Sequence, residues 1–162
     1  MKLYQLMNRI MFALVLVGLA GTALVAGDHH ESQQSLYKRL GGYDAIAAVV
    51  DDFVQRLATD PQLGRFFQGH SVSSVKKIRQ LVVDQLCEAT GGPCYYTGRD
   101  MKTAHAGMGI SEADWDASVK HLVATLDKFK VPEKEKNEVL GAISTMKDQI
   151  VEKSAPMGEN SK

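Results

Sequence analysis

The stretch GGPCYYTGRDMKTAHAGMGI, residues 91–110, decides how the rest of the chain is read. It opens on two glycines and a proline, which end any helix arriving from the N-terminal side. It then sets His105 one helical turn after Met101 and just before the Gly107-Met108-Gly109 break. Two readings of that histidine stand side by side: a residue packed for structure, and a metal ligand carried on a short helical turn against an apolar pocket.

On either side of the stretch the periodicity is helical. Ser35 is placed to cap a single turn, LYKRL, which ends at Gly41-Gly42. Ile46, Val49, Val50, Phe53, Val54 and Leu57 then recur at helical spacing, with Asp51, Asp52, Gln55 and Arg56 on the other face. Asp60-Pro61 stops that helix. A short segment to Phe66-Phe67 leads into the loop QGHSVSS, after which Ser74 is expected to cap a helix from Val75 to about Thr90. Its stripe is Val75, Ile78, Val82, Leu86 and Ala89, widened by Leu81 and Val83. Downstream, Ser111 and Asp114 have capping-box spacing and open a helix carrying Trp115, Val119, Leu122, Leu126 and Phe129. Val131-Pro132 breaks it, and a last helix is expected from Glu133 to about Glu152. No stretch alternates with a period of two, so the fold class is all-α.

The first 27 residues differ from all of this. Lys2 and Arg9 precede an apolar run from Ile10 to Ala26, and Val25-Ala26-Gly27 supplies small residues for cleavage. This is the plan of a secretory signal peptide, with an uncleaved membrane anchor as the second reading. The expected location is outside the cytoplasm: the periplasm if the source is bacterial, on the inner membrane if the leader is retained. Residues 28–34 read as a linker, 35–152 as one domain, and 153–162 as a polar disordered tail. The formal net charge is zero and Lys76, Lys77 and Arg79 are too few to track a phosphate backbone, so nucleic acid is not an expected partner.

Cys87 and Cys94 flank the Gly91-Gly92-Pro93 break. In an oxidising compartment they can pair, closing a loop that contributes about 2.5 kcal/mol in the chain-entropy model. Two separate thiols are the other reading, since sequence does not give the direction of the Cβ vectors. His29 and His30 follow the leader, His70 falls on a loop, and His121 lies off the apolar stripe and is expected on the surface. No CxxC, HExxH or GxGxxG motif competes, and nothing marks a nucleophile with a base and an orienting acid.

Taken in order, LYKRLGG, DDFVQRLATDPQLGRFF, GGPCYYTG and MKTAHAGMGI resemble the group I truncated haemoglobins, small globins built as a two-over-two helical sandwich. The resemblance runs from Leu36 to Glu152. It implies haem b as cofactor, a diatomic gas (oxygen, carbon monoxide or nitric oxide) as ligand, and His105 as the proximal iron ligand. It further implies that Phe67 and Met101 pack on the porphyrin and that Phe53 backs the distal side. Many members of the family place tyrosine where this chain has Val54. Counted back without a gap from Gly91-Gly92, the remaining distal positions are Ile78, Leu81 and Val82, where glutamine or histidine is common. Leu86, Ile110 and Trp115 complete the residues expected around the cofactor. Such an apolar distal wall counts against nitric-oxide dioxygenation and stable oxygen storage, and no catalytic residue is expected. Two further readings carry different consequences. A haem redox enzyme or electron carrier on the same scaffold needs a distal acid or base and a redox partner protein; a cofactor-free helical interaction protein makes His105 incidental.

Overall fold

The computed structural model describes residues 34–152. The leader, the linker up to residue 33 and the tail from 153 lie outside the described residues. Those described form α1 (Leu36–Arg39), α2 (Gly42–Thr59), a 3-10 turn (Gly64–Phe67), α3 (Val72–Ala89), α4 (Met101–His105), α5 (Glu112–Lys128), α6 (Glu133–Ser144) and α7 (Lys147–Ile150), with no strand among them.

Local chemistry explains most of the boundaries. The Ser35 hydroxyl accepts from the Lys38 N–H and caps α1. Gly41 follows at φ +94°, a left-handed conformation glycine adopts without strain, and α2 starts at once. At the far end Asp60 turns the chain out, its Oδ1 accepting from the N–H groups of Gln62 and Leu63 at 2.8 and 2.9 Å. The Ser111–Asp114 capping box forms as its spacing predicts.

Three expectations need correction. The cap of α3 is Ser71 and not Ser74; its hydroxyl accepts from the Ser74 N–H at 3.2 Å, so the helix begins at Val72 and the preceding loop shrinks to residues 68–71. Val72 is 74% exposed, so hydrophobic periodicity gives no sign of that first turn. The last helix is two pieces, because the Ser144 and Thr145 hydroxyls donate back to the Gly141 and Ala142 carbonyls, each at 2.7 Å, where the ladder breaks. His121 is half-buried rather than exposed, with Nε2 2.8 Å from Asp60 Oδ2.

The helices stack in two pairs. α2 packs on α3 and crosses to α5, α5 packs on α6, and α1 closes against α6. Ile46, Val50, Val54 and Val83 form one buried cluster between α2 and α3. Leu122, Leu126 and Val139 form a second between α5 and α6, and Leu40 touches both. Burial of each such side chain contributes about 1.5–3 kcal/mol. Where the clusters meet, a cavity of about 30 Å³ remains, lined by residues including Leu40, Ile46, Val49, Leu86 and Leu126.

Polar clamps fix how α2 and the 3-10 turn meet α5. Asp114, 2% exposed, accepts from Gln62 Nε2 and Arg65 Nη2, both at 2.8 Å, and from the Ser111 N–H and hydroxyl. Burial alone pushes its carboxyl up, but the Ser111, Gln62 and Arg65 donors outweigh that and hold it well below the usual carboxylate range. Asp52 is likewise held low by Arg56, Lys128 and Thr125.

Candidate cofactor site

The site is built outward from α4. Five residues are too few for an isolated helix to persist in water, so this turn exists because its ends are tied. Asp100 caps it, accepting from the Thr103 N–H at 2.9 Å. Beyond it Gly107 and Gly109 take φ values of +78° and +65° and reverse the chain. The buried Ile110 that follows accepts from the Glu152 N–H at 2.9 Å, while α4 itself packs on α7.

His105 ends the turn and is half-buried. Its Nδ1 lies 2.8 Å from the Met101 carbonyl oxygen. A carbonyl only accepts, so Nδ1 carries the proton, and in the neutral ring Nε2 then keeps its lone pair. That is the arrangement in which a histidine binds a metal through one nitrogen while the other is oriented by the backbone. Neither of the other described histidines is so placed: His70 is exposed and His121 faces Asp60.

The chain reaches α4 through residues 91–100. Gly91, at φ +81°, turns it off the end of α3, and the Gly92 N–H donates to the Cys87 carbonyl at 2.8 Å. Cys87 and Cys94 are joined in a disulfide with their Cα atoms 5.7 Å apart, which decides between the two readings of the cysteines. A Cβ on Gly92 would lie 2.5 Å from the Tyr37 ring and 2.6 Å from Cys87 Sγ, so only glycine fits.

The opposite wall is α3. Ile78, Leu81 and Val82 are half-buried along it. One turn further on, Gln85 points its amide between two thioethers, 3.3 Å from Met101 Sδ and 3.6 Å from Met146 Sδ. Here the α3 stripe meets the turn carrying His105. Gln85 and Met146 were not among the expected site residues, although Gln85 continues the Ile78–Val82 spacing and could have been found by following position rather than polarity. Gln80 points away, donating to Tyr43 and Asp84 on the surface.

The other expected residues divide. Val54 sits in the α2–α3 cluster with Phe67, Val82 and Leu86 packed against it, beside an open groove of about 560 Å³ lined also by Asp51, Val75 and Arg79. Phe53 packs on the Leu122–Leu126 cluster. Ile110 and Trp115 are buried, each 8% exposed. Ile78, Leu81 and Met101 are half-buried yet belong to neither cluster. Met101 shares its turn with His105, and Ile78 and Leu81 lie two turns and one turn before Gln85, which meets Met101. Apolar side chains that the core leaves unused, on the helix that meets a histidine-bearing turn, fit a flat apolar group bearing a metal.

Comparison with known proteins agrees. Residues 35–152 match the family model of the bacterial-like globins. A group 1 truncated haemoglobin from Mycolicibacterium paratuberculosis is 35% identical over 116 residues, 72% of this chain and 83% of its own length. The solved structure of a truncated haemoglobin from Tetrahymena pyriformis in its Fe(III) form superposes with a TM-score of 0.68 at 29% identity, covering 74% of this chain and all of that one. A 2/2 haemoglobin from a Synechococcus species, in the cyanomet state with covalently attached haem, gives 0.66 at 28% identity over 72% and 98%. The chain belongs to the truncated haemoglobins.

As a truncated haemoglobin it takes haem as cofactor, haem b being the usual form, and the two-over-two arrangement of α2–α3 against α5–α6 is the family's sandwich. His105, Met101 and the α3 stripe are the residues of this chain that fit the group.

Proposed function

We propose that this truncated haemoglobin reversibly binds a diatomic gas at haem iron held by His105, opposite an apolar wall of Val54, Ile78, Leu81 and Val82. The observation that carries the reading is the His105 ring, whose Nδ1 is engaged by the Met101 carbonyl at 2.8 Å and whose Nε2 is left to coordinate. The haem supplies the iron at which the gas binds. What the residues of this chain do is orient the ligand nitrogen through the Met101 carbonyl, keep water from the cofactor with Ile78, Leu81, Val82 and Met101, and withhold any proton donor or acceptor from the distal side. Phe67, Leu86, Ile110 and Trp115 line the same site, and Phe53 braces it from behind. With no acid or base on that wall, gas binding without substrate turnover is the favoured activity.

We further propose that the protein works outside the cytoplasm, exported by its N-terminal segment. The basic-then-apolar leader supports this, and so does a Cys87–Cys94 disulfide, which persists in oxidising compartments.

The absorption spectrum of purified protein tests the function. Wild type is expected to show a Soret band, five-coordinate or water-bound, and His105→Ala to lose it while keeping its helical circular dichroism. A Soret band retained unchanged in His105→Ala would refute the assignment.

A further inference from the structure

Among the described residues, the span from Pro93 to Arg99 donates no backbone hydrogen bond to another backbone group. Its one recorded side-chain bond is local, from the Tyr96 hydroxyl to the Arg99 carbonyl at 2.6 Å, and Tyr95 is 83% exposed. This span nevertheless delivers α4, and with it His105, to the face of α3. What holds it is the disulfide. Cys87 is wholly buried in the last turn of α3, while Cys94 is half-buried on the span itself. Gly92 is wedged between them against Tyr37 and Cys87 Sγ, so the direction in which the chain leaves α3 is fixed by a covalent link and one packed glycine. The remaining ties on α4 are local, weak or lie at its far end: the Asp100 cap within the turn, the Gln85 amide against two thioether sulfurs, the packing on the four-residue α7, and the bond between Ile110 and Glu152.

We propose that the Cys87–Cys94 disulfide is a haem-retention clamp, and that its reduction by a dithiol loosens the proximal turn and speeds loss of haem. The proposal rests on His105 being the iron ligand. In the chemical step a thiolate of the reductant attacks Cys94 Sγ, the accessible sulfur. The S–S bond breaks, and Cys87 leaves as a thiolate and takes up a proton. The reductant's second thiolate then attacks the reductant's own sulfur in the mixed disulfide, that S–S bond breaks, and Cys94 leaves as a thiolate and is protonated in turn. Two thiols remain on this chain and one disulfide on the reductant. Haem retention thereby responds to the thiol poise of the compartment, through a group that never touches the cofactor.

The experiment compares full-chain protein with the disulfide intact, the same protein treated with a phosphine reductant, and Cys94→Ser. The iron is kept ferric and checked by absorption. Transfer of haem to an excess of an acceptor apoprotein gives the dissociation rate. Amide hydrogen exchange of haem-free protein gives the mobility of residues 94–106 independently of the cofactor. The expected result is about fivefold to tenfold faster haem loss on reduction, part of the restraint a short disulfide loop supplies. Cys94→Ser should be as fast without reductant and gain nothing from it, with exchange rising in 94–106 while α3 and α5 stay protected. Rates within about twofold in all three samples would overturn the clamp, as would exchange rising uniformly through every helix, which would make the bond a general staple. Failure of every sample to hold haem would refute the functional reading instead, and the exchange data would still decide whether the disulfide holds the turn.

Discussion

α3 and α4 face each other across the site and are held in opposite ways. α3 is eighteen residues long, capped by Ser71, and sends Val82, Val83 and Leu86 into a cluster shared with α2. Its position is set many times over, so no single side chain decides it. α4 is five residues, packs on the four-residue α7 and is otherwise held by point contacts: Asp100, the disulfide, Gln85 and the Ile110–Glu152 bond. On the function proposed above, the wall that would tune the ligand is therefore tolerant, while the wall that would supply the ligating nitrogen is brittle. A change on α3 should alter which gas binds and how fast it leaves; a change among the ties of α4 should alter whether there is a cofactor at all.

The sharpest way to break this contrast is Gly92→Ala. The added Cβ meets Tyr37 and Cys87 Sγ at 2.5 and 2.6 Å and the Cys87 carbonyl at 2.8 Å, none of which can yield freely. A loss of about 3 kcal/mol is expected, at the upper end of overpacking costs, with weaker haem retention alongside it. Denaturant unfolding and haem transfer measure both, and a change under ~1 kcal/mol would mean that α4 is as well supported as α3.

Outside the two walls, acid acts on the carboxyl clamps between the helical layers, of which Asp114 on α5 is the more buried. Asp114 is depressed in the folded state by Ser111, Gln62 and Arg65 against the opposing effect of burial. A carboxyl with a lowered folded pKa contributes stability that is fully present above its unfolded value near ~3.9 and is lost as pH falls through the folded one. Melting temperature should therefore fall progressively below about pH 4–5, and the fall should be shallower in Asp114→Asn, which starts from a lower plateau. Parallel melting curves for the two proteins would remove Asp114 as the origin.

The smallest effect belongs to the tolerant wall. Dioxygen at ferrous haem gains from a nearby hydrogen-bond donor and carbon monoxide gains little. Such a bond contributes about 0.5–1.5 kcal/mol net, so Val54→Tyr should slow oxygen release by roughly twofold to tenfold. Wild type is expected to release oxygen rapidly, to oxidise readily and to favour carbon monoxide. If stopped-flow measurement finds wild type as slow as the variant, a polar group already reaches the ligand, and Gln85 is the nearest candidate.

The same contrast explains what was legible in the sequence. Helices set by packing announce themselves through periodicity, and helix stops at Asp60-Pro61 and Gly91-Gly92-Pro93 follow from backbone chemistry. The short turn with His105 was legible through the glycines around it and the family motifs, whereas its Asp100 cap emerged only in the structure. Features fixed by a single distant partner were not. His121 meets Asp60 from sixty-one positions away, and nothing in the local pattern of α5 points to it. The contacts of Gln85 were not legible either, because its partners are the sulfurs of Met101 on α4 and of Met146, which precedes α7. Three serines in a row of four residues made the start of α3 ambiguous, and the choice of Ser71 depends on loop geometry that composition does not encode.

The cavity between the two apolar clusters has a mechanical consequence. It is about 30 Å³ and lined, apart from Thr90, by aliphatic side chains, so it offers a water molecule few partners. Unfolding abolishes packing voids of this kind and so lowers the volume of the system. The seam where α2 and α3 meet α5 and α6 is therefore a place where hydrostatic pressure finds volume to remove.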